Sequence, residues 1–298
     1  NAPGFAFSPV REEICFIGNL ADHPEANTNA DLFVVPVTGG EAKCITADNE
    51  AWDGSPQYSP NGRYIAYRFQ KVLGHESDRF RLALYNRATG EKTVLTEDID
   101  NWVNDDFVWT PDSKSIYFGV QEHGLVPIYK VDIATGKHHK VLPDRAVSNF
   151  CVGTDGYLYY TYSTTGKPTA LYRSKAGGKS EQQLSFFNQA LEEEVDIRPS
   201  EAMWVEGADG AMIEVWVVKP HNFDPNKKYP LVVNVHGGPQ MQWMDSFRAD
   251  WQVYPGAGYV VAYPNPHGST GYGQEFTTSI SGDWGGKPYE DVIKVTEA

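Results

Sequence analysis

The sequence repeats itself. A turn signature followed by an apolar strand appears as Phe7-Ser8-Pro9 before Ile14–Ile17, then as Tyr58-Ser59-Pro60-Asn61-Gly62 before Tyr64–Tyr67. It returns as Trp109-Thr110-Pro111-Asp112-Ser113 before Ile116–Phe118, and as Gly153-Thr154-Asp155-Gly156 before Tyr157–Tyr160. A second landmark keeps step with the first: Asp31–Pro36, Leu82–Tyr85, Ile128–Val131 and Ala170–Arg173 each run into a Gly-containing turn. Short closing strands follow two of these turns, at Lys43–Thr46 and Thr93–Thr96. Ser8, Ser59, Thr110 and Thr154 stand 51, 51 and 44 residues apart. That is the period of a blade of four antiparallel strands, roughly 40 to 50 residues. Helical arrays of similar period need apolar residues at 3.6 spacing, whereas these are β-branched and aromatic runs broken by Pro, Asn-Gly and Thr-Gly turns.

The repeat ends near Leu191, where Glu192-Glu193-Glu194 leads to Pro199. The chain therefore divides into 1–190, a partial β-propeller of about four blades, and 191–298, which has a different pattern. In the second part, 202–206 and 212–219 flank Gly207–Gly210 and read as a hairpin. Residues 229–235 and 258–263 read as strands buried on both faces, as a helix-covered sheet requires. Residues 243–251 and 288–297 read as helices, which makes this part α/β.

Composition excludes several functions. Acidic residues number 39 against 25 basic ones, a net charge of −14 that repels phosphate backbones, so nucleic acid is not an expected partner. No apolar run approaches the about 20 residues that span a bilayer. Cys15, Cys44 and Cys151 are too widely spaced for a disulfide framework or a zinc site. Phosphate-loop, dinucleotide-binding and His-Glu-x-x-His patterns are absent, and His138-His139 beside Lys137 and Lys140 reads as solvated surface, so no metal or cofactor is expected. The chain starts at Asn1 with no Met or signal-like segment and is read as a mature or trimmed product. A periplasmic or secreted location is favoured over a cytoplasmic one.

The chemistry lies after the strand Leu231–Val235, which runs into His236-Gly237-Gly238-Pro239. Glycines here let the main chain approach developing negative charge without a side chain in the way, and such a turn supplies an oxyanion donor in α/β-hydrolases. Further on come Asn265-Pro266-His267-Gly268-Ser269-Thr270-Gly271-Tyr272-Gly273 and Gly282-Asp283-Trp284-Gly285-Gly286.

These motifs, in this order and behind a blade repeat, resemble the prolyl oligopeptidase family of serine peptidases, in its acylaminoacyl-peptidase and bacterial dipeptidyl-peptidase V branch. The resemblance covers essentially the whole chain. It implies that the Gly238 amide donates to the oxyanion, with His236 and Gly237 shaping the turn. It implies acyl transfer on short peptides admitted past the propeller, with dipeptides released from N-termini. Release of N-acylated amino acids and a non-catalytic interaction module are the competing readings. Loops 22–30 and 73–79 are candidates for the wall of the substrate chamber, and the oligomer allowed is a homodimer through the hydrolase domain. Where the family carries Arg, this chain has His267, so an ion pair made there is open to question. Asp283 and Trp284 are expected to pack as scaffold.

No Gly-x-Ser-x-Gly elbow occurs in the chain. The resemblance puts the Ser, Asp and His of the triad after Ala298, so no residue here is assigned to it, and the chain is expected to be a piece of a longer polypeptide, inactive alone.

Overall fold

The computed structural model describes residues 4–298 and shows what the repeat encodes: each sequence period is one four-stranded antiparallel sheet with its strands in chain order. The first holds β1 to β4 (Phe5–Phe7, Glu13–Gly18, Asp31–Pro36, Lys43–Cys44) and the second β5 to β8 (Asp53–Tyr58, Tyr64–Phe69, Arg81–Asn86, Lys92–Val94). The third holds β9 to β12 (Val103–Trp109, Ser115–Val120, Ile128–Asp132, His138–Leu142) and the fourth β13 to β16 (Val147–Val152, Leu158–Thr164, Lys167–Lys175, Lys179–Gln183).

The repeated turn residues act locally. Ser59 Oγ donates to Asn61 Oδ1 at 2.8 Å and accepts the Tyr64 amide at 2.9 Å, closing the turn from β5 to β6. Thr110 does the same with Asp112 and Ser115, at 2.7 and 3.0 Å. Gly62 sits at φ +66°, left-handed backbone that favours glycine.

Two compact units divide the chain: residues 1–120 with 128–140, and residues 121–127 with 141–298. Within the first, successive sheets pack face to face. Cys15 and Leu32 meet Ile65, Tyr67 and Phe69 in one core, and Leu82 and Leu84 meet Phe107, Ile116 and Phe118 in the next. The loop 73–79 ends in buried residues, with Asp78 paired to Arg81 at 3.1 Å.

The second unit contains the fourth sheet, α1 (Gln189–Glu194) and a mixed sheet of β17 (Ser200–Glu206), β18 (Met212–Val218), β19 (Leu231–Val233) and β20 (Val260–Pro264). The order is β17-β18-β20-β19, with β17 and β18 forming the expected hairpin and β19 parallel to β20. Three helices accompany the sheet: α2 (Asp250–Gly256), α3 (Gln274–Thr278) and α4 (Lys287–Glu297). Alternate residues of β18 and β20 feed two cores. Ile213, Val215 and Ala262 meet Val295 of α4, while Val218, Val261 and Tyr263 meet Trp251 of α2. The Trp251 and Tyr263 rings stack with centroids 3.7 Å apart.

Two expectations are corrected. The strand expected over 229–235 is shorter, Leu231–Val233, and pairs in parallel with β20, the Asn234 amide adding one more bond to Ala262 O before the chain leaves the sheet. The helix expected over 243–251 starts at Asp250. Residues before it spend their amides elsewhere: Trp243 N–H on Asn265 Oδ1, Asp245 N–H on Gly124 O and Phe247 N–H on Ser163 Oγ. Apolar spacing alone cannot start a helix whose donors are already committed.

Candidate active site

β19 delivers the turn. The Asn234 amide still bonds Ala262 O at 2.8 Å, extending the pairing with β20, and the chain then leaves the sheet at His236-Gly237-Gly238-Pro239. Gly238 has φ +138°, and a Cβ there would lie 3.1 Å from the Gln240 amide nitrogen and 3.3 Å from Met241 Cγ. Glycine is thus required twice, by dihedral and by space. A Cβ at Gly237 would meet nothing within 4 Å.

His236 is fastened at both ring nitrogens. Nδ1 lies 3.0 Å from Gly237 O and Nε2 lies 2.9 Å from Ser269 Oγ, while the ring edge meets Trp243 at 5.7 Å. Burial pushes the His236 pKa down, against the opposing effect of the bond to Gly237. The Ser269 hydroxyl gives its one proton to Pro266 O, so in the neutral ring Nε2–H donates to Ser269 Oγ and Nδ1 faces Gly237 O. In a trans peptide the carbonyl and the next amide point to opposite sides, so with Gly237 O beside the ring the Gly238 N–H points away from it. Among the described residues the Gly238 amide has no hydrogen-bond partner. Gly237 and Gly238 line a cavity of about 250 Å³ with His236, Pro239, Pro266 and Trp284. An amide unspent by its own protein, on a residue that lines a cavity, is a candidate donor for developing negative charge.

Ser269 and His236 have the spacing of a nucleophile and its base, yet the pair is not one. Ser269 is fully buried, its hydroxyl also lies 2.6 Å from Pro266 O, and the other ring nitrogen faces a carbonyl, not a carboxylate. His267 has an acidic partner: Nδ1 lies 2.7 Å from Asp291 Oδ2, and the ring stacks on Phe276 at 4.5 Å. Trp284 is 76% exposed here and lines the same cavity as the turn. Asp283 directs a carboxylate oxygen toward the Lys287 amide at the start of α4, 3.4 Å away.

Sequence reasoning missed a buried polar group beside the turn. Glu214, 4% exposed on β18, accepts from Tyr272 Oη at 2.5 Å, and Tyr272 Oη in turn accepts from Asn265 Nδ2 at 2.6 Å. Burial pushes both Glu214 and Tyr272 upward. A lone acid in the apolar run Met212–Val218 was the available signal.

Comparison with known proteins follows the same line. The prolyl oligopeptidase family profile matches residues 245–298. Dipeptidyl-peptidase 5 of Trichophyton equinum is 33% identical over 304 residues, 95% of this chain and 41% of that protein. The same enzyme from Arthroderma otae is 32% identical over 313 residues, 98% of this chain and 43% of its own. Among solved structures, Pyrococcus horikoshii acylaminoacyl peptidase superposes with a TM-score of 0.81 at 22% identity, covering 96% of this chain and 44% of the other. Puromycin hydrolase gives 0.71 at 17% identity, covering 98% and 45%. At those identities the structures speak to fold alone. The chain spans about two fifths of the length of the curated relatives it matches. With the profile on its last fifty or so residues and relatives matching along nearly all of it, the chain belongs to the prolyl oligopeptidase family.

Proposed function

We propose that this chain supplies the oxyanion turn of a serine peptidase that removes dipeptides from the N-termini of short peptides. The observation that carries the reading is the Gly238 amide, which has no partner among the described residues and belongs to a residue that lines the cavity at the turn. The likeness to dipeptidyl-peptidase 5 proteins over nearly the whole chain supports the choice of substrate class.

In this reading the four repeated sheets are part of a β-propeller over 1–190, and residues 191–298 are the opening portion of the α/β-hydrolase domain. The nucleophile elbow and the remaining triad residues belong to the part of the relatives' length that this chain does not span. The serine oxygen adds to the scissile carbonyl as its proton passes to the triad histidine. The carbonyl oxygen, now negative, takes up the Gly238 N–H. The same histidine then protonates the leaving amine, and water repeats the sequence on the acyl-enzyme to free the dipeptide.

The test compares a dipeptidyl chromogenic substrate with its N-acetylated form on the full-length protein. Faster turnover of the free amine is the expected result. Faster turnover of the blocked compound overturns aminopeptidase action in favour of acylaminoacyl release, and hydrolysis of neither leaves a non-catalytic module.

A further inference from the structure

The loop Gln121–Pro127 leaves the strands on either side of it and belongs to the compact unit that holds the oxyanion turn. Its tip is a tight turn, with His123 and Gly124 both left-handed at φ +48° and +63°. The tip grips two separate segments. On one side the buried Gln242 closes a two-point clamp: Oε1 accepts the Gly124 amide at 3.0 Å and Nε2 donates to Leu125 O at 2.9 Å. The Asp245 amide adds a bond to Gly124 O at 3.0 Å. On the other side, the His123 amide donates to Gly271 O at 3.1 Å, and Thr270 Oγ1 donates to Gln121 Oε1.

Those two segments hold His236. Gln242 directly precedes Trp243, whose ring meets the imidazole edge, and Thr270 directly follows Ser269, which bonds Nε2. The segments are also joined to each other, through the Thr270 amide on Met241 O at 3.0 Å and the Trp243 amide on Asn265 Oδ1 at 2.6 Å. The fit leaves no slack. A Cβ on Gly271 would lie 2.2 Å from Gln242 Oε1, and one on Gly124 would lie 2.6 Å from Trp216 Nε1.

We propose that Gln242 is a positioning residue for the oxyanion site, locking the Gln121–Pro127 loop against the two segments that orient His236 and, through it, the Gly238 amide. The proposal rests on the peptidase reading above. Gln242 touches neither substrate nor reacting atoms. Its effect is on where the amide points, and an error of about 1 Å in such a group costs up to roughly 100-fold in rate.

The test uses the full-length protein with active sites counted by a fluorophosphonate, so that unfolded molecules do not enter the rate. Gln242→Ala and the isosteric Gln242→Glu, which loses the Nε2 donor but keeps the Oε1 acceptor, are compared on a dipeptidyl substrate. A fall in kcat of about 10-fold or more for the alanine variant is expected, with KM within about twofold and partial recovery in the glutamate variant. Inhibition by a peptide boronic acid, which mimics the tetrahedral oxyanion, weakens in parallel with kcat, while a non-reactive peptide competitor keeps its affinity. If the Gln242 variants do not accumulate, Thr270→Val, which removes one hydroxyl of the same clamp, gives the same kcat-weighted split. Titrated variants whose kcat stays within twofold, or whose KM and kcat worsen together while boronate affinity holds, overturn the positioning role. A wild-type protein that neither reacts with fluorophosphonate nor cleaves peptides overturns the peptidase reading itself.

Discussion

Asp291 lies fully buried on α4 and accepts, on a single carboxylate oxygen, both the His267 amide and the His267 ring Nδ1, each at 2.7 Å. Its other oxygen accepts the Ala208 amide at 2.8 Å. One side chain therefore ties the last helix to the loop after β20 and to the hairpin between β17 and β18. Removing it leaves three buried donors without a partner, and each orphaned group costs about 1 to 3 kcal/mol. Asp291→Ala is expected to lower stability by roughly 3 kcal/mol or more in urea unfolding, with His267→Ala costing less because the Ala208 bond remains. Equal, small losses in both variants would remove Asp291 from this role.

Gly237 and Gly238 are adjacent glycines under different constraints. At Gly238 a side chain is opposed by φ +138° and by the Gln240 backbone, whereas at Gly237 the space is open. In the full-length enzyme Gly238→Ala is expected to lower kcat by about 100-fold with little change in KM, the scale of losing one oxyanion donor. Gly237→Ala is expected to cost several-fold at most. Steady-state kinetics on one dipeptidyl substrate decides this, and equal losses would mean that the dihedral at Gly238 is not what matters.

How far the residues reveal the molecule depends on how local each interaction is. Ser59, Asn61, Thr110 and Asp112 bond within five residues of themselves, so the repeat and its sheets are legible from the sequence. The hairpin around Gly207–Gly210 is legible for the same reason. The glycine turn at 236–239 is visible as a motif, but the Ser269 hydroxyl that fastens His236 is 33 residues away. The helix expected from Trp243 fails because the partners of its amides lie far off in sequence, Gly124 in the loop between β10 and β11 and Ser163 on β14. Gln242 carried no signal at all, since its two bonds reach residues well over 100 positions earlier.

The three cysteines differ in environment enough to be told apart chemically. Cys15 is wholly buried, and burial pushes its thiol up to about 12, so it presents almost no thiolate at neutral pH. Burial raises Cys44 as well, while Cys151 is exposed. Titration of the folded chain with a disulfide reagent is expected to modify Cys151 first and Cys44 more slowly, with Cys15 reacting only after denaturant is added. Modification of Cys15 at the rate of Cys151 would contradict the packing of the first two sheets.

Asp53 introduces a pH dependence within the first compact unit. The residue is 1% exposed at the start of β5 and accepts from Asn49 Nδ2 at 2.9 Å. Burial, only partly opposed by that bond, pushes its carboxyl from the ordinary 3.8 up to about 8. The folded state therefore holds a proton that the unfolded chain releases. Its contribution to stability is complete below about pH 4 and is lost as pH rises toward 8, the sign opposite to that of a salt-bridged carboxylate. Asp53→Asn keeps an oxygen for Asn49 and cannot ionise. Its unfolding temperature is expected to fall less than that of the wild type between pH 5 and pH 8.5, by a margin of roughly 5 °C. Parallel curves for the two proteins across that range would show that Asp53 is ionised in the folded state.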